Sequence, residues 1–311
     1  MLRSMSGAST YRSFTKSPYY SLKHTNYFPI YDELLLKFVG LPITFLEIGI
    51  LDGGSLFMWR DFFGKDARII GVDLNPAAAK WRDHGFEIFI GDQSNPGFWD
   101  DLYGEVGQID ILLDDGGHRN DQQIVTVQCS LEHIRDGGLI IVEDSQTSFM
   151  KFESFKRVSF VNLLISKIPL LYSRSSDLKI LETVYSKCVH SIQFFESICV
   201  LHIDRSKCNT NFRVENAGAK DFSEDFRYES DGFVQSTFRK FYEYVSIDYL
   251  SPERKIRHPF LNQMMGKKYL RMGMRCMIIP IRAFAYWWIK LMNLLNLRRL
   301  IREVESNQTF K

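Results

Sequence analysis

Residues 109–118 read Ile-Asp-Ile-Leu-Leu-Asp-Asp-Gly-Gly-His, and residues 139–144 read Leu-Ile-Ile-Val-Glu-Asp. Each is a short apolar run closed abruptly by acids. Apolar runs of this length, bounded by Gly and Asp, fit strands buried on both faces, as in a parallel sheet. Two neighbouring parallel strands carry Asp114, Asp115, Glu143, Asp144 and His118 to one edge of that sheet. Carboxylates gathered this way need a cation or a proton to relieve their repulsion.

The same pattern recurs outward from this stretch. Residues 43–48 lead into Gly49 and then Gly53-Gly54-Ser55, which reads as a strand, a glycine-rich turn and a helix start with Ser55 as its cap. Residues 68–72 close on Asp73, and residues 86–90 close on Gly91-Asp92-Gln93. Helical spacing fills the intervals, clearest over 121–134, where Ile124, Val127 and Leu131 share a face. Strands alternating with helices predict an α/β fold with a doubly wound, mostly parallel sheet. Residues 191–195 and 198–203, joined at Glu196-Ser197, predict a terminal antiparallel hairpin closing it. Residues 28–39 predict a short amphipathic helix, and 158–168 a helix that Pro169 interrupts. The organisation expected is an arm or lid of poor order over 1–22, a domain over 23–205, a linker over 206–231 and a helical, basic and apolar region over 232–311.

Hydrophobic residues at 45% and charged residues at 24% exclude wholesale disorder. The net charge of +2 conceals an asymmetry: residues 254–311 carry 13 Lys/Arg against 2 Glu, leaving 26 basic against 35 acidic side chains before them. Five cysteines without a CxxC pair, and an N-terminus without a continuous apolar run, fit reduced thiols in a cytoplasmic protein and disfavour cysteine-ligated zinc. The stretch 267–302 is apolar and basic but interrupted by Arg275, Pro280, Arg282 and Lys290, too often to span a bilayer. It reads either as a helix lying on an anionic membrane surface, a peripheral contact at the inner face, or as one packed on protein. Basic charge confined to an apolar tail, not spread round a cleft, argues against a nucleic-acid partner.

Ligands of open parallel sheets bind beyond the carboxyl ends of the strands, where every polar knot named above falls. Gly49 and Gly53 allow the backbone close to a ligand, and no Walker lysine follows them. Asp73 is placed to accept from ribose hydroxyls and Asp92 from an adenine amine. That set suits an adenosyl ligand lacking phosphate, S-adenosylmethionine (SAM), better than ATP or NAD. Asp115, Glu143 and Asp144 offer hard oxygen ligands for Mg²⁺, and His118 is a general-base candidate.

These motifs carry a resemblance. Residues 45–60 (FLEIGILDGGSLFMWR), followed by IGVDLN, GDQSN, IDILLDDGGH and IIVEDSQTS, resemble the metal-dependent sugar O-methyltransferases of macrolide biosynthesis, the macrocin and mycinamicin enzymes. Residues 23–33 (KHTNYFPIYDE) resemble the segment before that family's first strand, and SIQFFESICVLHI its last two. The resemblance covers about residues 20–205. It implies a Rossmann-like methyltransferase sheet and SAM-dependent, Mg²⁺-assisted O-methylation of a vicinal diol on a sugar, with homo-oligomers common. It carries SAM contacts onto Glu47, Gly49, Asp73, Asp92 and Gln93, metal binding onto Asp115, Glu143 and Asp144, and the base role onto His118; Asp115 is a cofactor-binding candidate as well as a metal ligand. Gly117 stands where the family usually has Ser, and the aromatic-proline-glycine segment expected after Phe149 is absent. The acceptor expected is a sugar hydroxyl of a surface glycan or glycolipid. The alternatives are a catechol-like or other small natural product, or a non-catalytic SAM-fold subunit docking through its tail.

Overall fold

A computed structural model describes residues 9–150, 159–172, 174, 183–212 and 214–218. The chain divides into two compact units, Met1–Asn216 and Ala217–Lys311, and the sheet and its cavity lie in the first. The expected helical, basic region over 232–311, with its 267–302 stretch, and most of the 206–231 linker lie outside the described residues.

In chain order the elements are α1 (Thr10–Lys16), α2 (Tyr27–Leu35), β1 (Thr44–Ile48), α3 (Gly54–Phe63), β2 (Arg68–Asp73), β3 (Glu87–Ile90), α4 (Pro96–Val106), β4 (Ile109–Asp114), α5 (Asn120–Ser130), β5 (Ile134–Val142), α6 (Phe160–Tyr172), α7 (Val184–Cys188), β6 (Val189–Phe194) and β7 (Cys199–Ile203), with short 3-10 turns between. Among the described residues the sheet has the order β3-β2-β1-β4-β5-β7-β6. The first five strands pair in parallel, while β7 runs antiparallel between β5 and β6. This is the predicted Rossmann-like methyltransferase sheet with its terminal hairpin; the second hairpin strand, not the first, lies against β5.

Period-two alternation explains the double-sided core. Ile111 and Leu113 of β4 join Phe45, Trp59 and Phe63 on one face; Leu112 joins Leu46, Trp99 and Val127 on the other. Because β1 and β4 are covered on both faces, the chain meets open space only just past their ends, at Gly49 and Asp115.

Three local expectations are corrected. Within the expected arm, residues 10–16 form the docked helix α1: Thr10 is buried and bonds Asp32 Oδ1 through its backbone N–H (2.7 Å) and its hydroxyl (2.8 Å), and Ser13 Oγ donates to Asp61 Oδ2 at 2.7 Å. Its polar composition resembles disorder because its partners lie on α2 and α3, distant in sequence. The predicted 121–134 helix ends at Ser130, where the His133 N–H turns back to the Ser130 carbonyl and Ile134 already pairs with Ile109. Pro169 does not end α6, which runs through it to Tyr172; a proline three residues from a helix end removes a single N–H donor there, and Leu170 and Leu171 still pack on the core.

Asp32 is thus the anchor of α1. Asp32→Ala should lower stability by about 1–3 kcal/mol, the range for leaving buried donors unpaired, and speed hydrogen exchange at amides of 10–16. Unchanged exchange in that helix would show α1 to be held by its apolar contacts alone.

Candidate active site

The carboxyl ends of β1, β2, β3, β4 and β5 open into one cavity of about 580 Å³. Gly49, Asp73, Asp92, Gln93, Asp115, His118, Glu143 and Asp144 line it, joined by Leu22, Lys23, His24 and Tyr27 from the segment before β1.

The cofactor-type residues divide. Gly49 has φ +80, and a methyl group there would collide with the carbonyl of Asp115, so β1 and β4 end in contact only because the residue is glycine. Asp73 Oδ2 accepts from the N–H groups of Ile50 (3.1 Å) and Leu51 (3.2 Å), which ties the β1 turn to the end of β2. Asp92 Oδ1 accepts from the Ser94 N–H and hydroxyl. Gln93 is buried. Its Nε2 donates to both Asp114 oxygens (3.0 and 3.1 Å), and its Oε1 accepts from the Gly117 N–H. Gln93 therefore holds the Asp-Asp-Gly-Gly loop. Gly53, at φ +76, packs against the ring of Trp81 and lies off the cavity lining. Glu47 is also absent from the lining: fully buried, it accepts from Ser55 Oγ (2.6 Å) and Trp59 Nε1 (3.1 Å). Ser55 was expected as a cap for α3, but its hydroxyl serves Glu47 and the capping position falls to Gly53.

The acids nearest the open end differ sharply in environment. Asp144 accepts from Tyr27 Oη (2.6 Å) and Gln146 Nε2 (2.9 Å), with His118 Nε2 3.2 Å from its Oδ2 and His24 Nε2 3.7 Å from its Oδ1. Burial alone would raise its pKa; the bonds from Tyr27 and Gln146, with the two imidazoles, hold it below the usual carboxylate range. Asp114 is fully enclosed and burial pushes it up, against the bonds from Gln93 and Gly116. Glu143 is pushed up strongly, first by burial and then by Asp115. Its side chain is held by Lys23 Nζ at 3.0 and 3.2 Å and by the Tyr31 hydroxyl.

Ligand atoms of Asp115, His118 and Asp144 lie within 4.8 Å of one another. Two carboxylates with an imidazole beside them fit a hard divalent cation that retains several waters. Glu143, expected in that set, lies against it but is engaged by Lys23. His118 and Asp144 both adopt left-handed backbone conformations, φ +56 and +50. Such strain in non-glycine residues clusters where geometry is functional.

The family profile described as a methyltransferase domain matches residues 46–145. Demethylmacrocin O-methyltransferase of Streptomyces fradiae is 32% identical over 128 residues, 39% of this chain and 32% of that protein. The 8-demethyl-8-alpha-L-rhamnosyl tetracenomycin-C 2'-O-methyltransferase of Streptomyces olivaceus is 32% identical over 133 residues, covering 40% and 34%. Mycinamicin VI 2''-O-methyltransferase of Micromonospora griseorubida is 32% identical over 132 residues, covering 39% and 32%. This chain is similar to the macrocin and mycinamicin O-methyltransferases. It spans about a third of the length of these curated relatives. The MycE methyltransferase of the mycinamycin biosynthetic pathway, solved in complex with Mg, SAH and mycinamycin VI, superposes with a TM-score of 0.56 at 22% identity, covering 73% of this chain and 58% of that one, a likeness of fold.

Every site residue expected from sequence falls inside the matched segment 46–145. Lys23, Tyr27 and Tyr31, which contact the acids, fall outside it and were missed. Tyr27 and Tyr31 stand four apart on α2 and read as ordinary core aromatics, and Lys23 carries no periodic signal at all. Gly49→Ala should lower stability by more than about 1 kcal/mol through its collision with the Asp115 loop, measured by urea unfolding. Wild-type stability would mean that the β1 and β4 ends can part without loss.

Proposed function

We propose that this protein is a SAM-dependent, Mg²⁺-assisted O-methyltransferase acting on a sugar hydroxyl. The observation that carries the reading is the single cavity, in which the glycine turn, Asp73 and Asp92 lie at one side and Asp115, His118 and Asp144 at the other. Gly49 gives the cofactor room beside β1, Asp73 accepts from its ribose, Asp92 faces its adenine amine, and Gln93 fixes the loop beneath it. Glu47 supports this wall from inside through Ser55 and Trp59. SAM supplies the methyl group on an activated sulfonium. Asp115 and Asp144 would hold the cation, with Glu143 beside them, and a cation there lowers the pKa of a substrate hydroxyl. The His118 imidazole then takes the acceptor's proton as the acceptor oxygen gains the methyl group and the bond from that methyl to the sulfonium breaks. The Asp144 carboxylate, kept ionised by Tyr27 and Gln146, lies 3.2 Å from His118 Nε2 and orients that imidazole.

Isothermal titration should show binding of both SAM and Mg²⁺; absence of SAM binding removes the functional reading. His118→Ala should reduce transfer of labelled methyl to any responsive sugar acceptor by about 10²–10⁴-fold with SAM affinity retained. A comparable loss of SAM affinity would assign His118 to binding. Asp144→Asn should raise the Mg²⁺ concentration that activity requires or abolish activity; unchanged Mg²⁺ dependence would count against its role as a ligand.

Free thiols at Cys129, Cys188, Cys199 and Cys208 accord with a cytoplasmic site of action. Among the described residues no helix is long and apolar enough to cross a membrane. A glycan or glycolipid acceptor is the preferred class because the basic, apolar sequence at 267–302 would keep the enzyme near a lipid-linked substrate. The full chain should therefore float with anionic vesicles and not with neutral ones; no flotation excludes the lipid-linked acceptor while leaving sugar methylation in place.

A further inference from the structure

Lys23 is the cation already resident in the acidic site. Its side chain is 1% exposed, and its Nζ lies 2.6 Å from Asp115 Oδ2, 3.0 Å from Glu143 Oε1 and 3.6 Å from Glu47 Oε1. Those three carboxylates close or neighbour the ends of β4, β5 and β1, so one ammonium bridges three adjacent strands. Asp115 is shared: Oδ2 meets Lys23, while Oδ1 faces His118 Nε2 at 4.0 Å. The cluster thus has a closed half, Glu47–Lys23–Glu143, and an open half, Asp115–His118–Asp144. Tyr31 completes the closed half by donating to Glu143.

We propose that Lys23 is a positioning residue that substitutes for metal charge: it holds the strand-end carboxylates together before a divalent cation arrives, and it tempers the affinity for that cation by claiming Glu143 and one oxygen of Asp115. The inference rests on the metal reading given above. A fixed positive charge beside a cation site opposes binding through Coulomb repulsion, and a buried carboxylate stripped of its partner is strongly destabilising. Removing Lys23 should therefore have two opposite effects. The metal-free chain becomes less stable, and the metal binds more tightly.

The test compares wild type, Lys23→Met and Lys23→Arg by thermal unfolding and Mg²⁺ titration calorimetry. In metal-free buffer Lys23→Met should unfold about 6 °C or more below wild type. Saturating Mg²⁺ should recover much of that loss, and its dissociation constant should fall about ten-fold. Lys23→Arg, which keeps the charge, should stay near wild type in affinity. A purely structural lysine would lower the melting temperature without tightening Mg²⁺ binding, so unchanged or weaker affinity in Lys23→Met overturns the proposal. If Lys23→Met does not fold, the wild-type ¹⁵Nζ ammonium resonance, assigned by its loss in Lys23→Arg, provides the second measurement. It should shift on Mg²⁺ saturation, and an unmoved signal overturns the proposal. Wild type giving no Mg²⁺ heat would instead overturn the metal reading itself, and this inference with it.

Discussion

A single buried ammonium among three carboxylates is the interaction on which this site depends. The parallel sheet places the ends of β1, β4 and β5 side by side, and the sequence puts an acid at or just beyond each. Left alone, Glu47, Asp115 and Glu143 would repel in a low-dielectric environment, and burial already drives Glu47 and Glu143 toward protonation. Burial works against the charge on Lys23 as well, but the surrounding carboxylates outweigh it and keep the amine a cation. The segment before β1 is therefore part of the site. It delivers Lys23, the Tyr31 hydroxyl to Glu143 and the Tyr27 hydroxyl to Asp144.

Backbone geometry then determines which side chains meet. Leu51, His118 and Asp144 are non-glycine residues at positive φ, and all three line the cavity. The left-handed turn at Asp144 opens a 3-10 turn over Ser145–Phe149, whose Thr147 hydroxyl bonds the carbonyls of His118 and Asp144. One side chain thus fixes both strained residues against each other, leaving the His118–Asp144 contact pre-formed. The strain is sustained because the loop below is locked independently, through Gln93 to Asp114 and Gly117.

Much of this was legible in the sequence because a parallel sheet converts strand ends into a site. Runs closed by Asp73, Asp92, Asp114 and Glu143 marked four of those ends, and all four lie where the pattern placed them. What the sequence concealed has a common cause: partners distant along the chain. The Thr10–Asp32 and Ser13–Asp61 bonds turn an apparently disordered arm into a docked helix, and Lys23 meets acids 24 to 120 residues away. The end of α5 was concealed differently, since Leu131 continues both the helical apolar face and the right-handed backbone, and the chain turns toward β5 only as the His133 N–H reaches back to the Ser130 carbonyl.

The acids also show why residue type alone could not assign roles. Glu47 and Asp114 are sealed from solvent and satisfied by protein donors, so they hold elements together. Asp115 and Asp144 keep part of each carboxylate toward the cavity and can take an external cation. Glu143 stands between these states, fully buried yet adjoining the open half, and its allegiance depends on how firmly Lys23 holds it. The matched segment 46–145 contains every one of these carboxylates and none of the groups from α2 and its approach that neutralise them. A fragment confined to that segment would keep Asp115, Glu143 and Asp144 and lose the ammonium that lies between Asp115 and Glu143, so the acid cluster holds together only with the segment that carries Lys23.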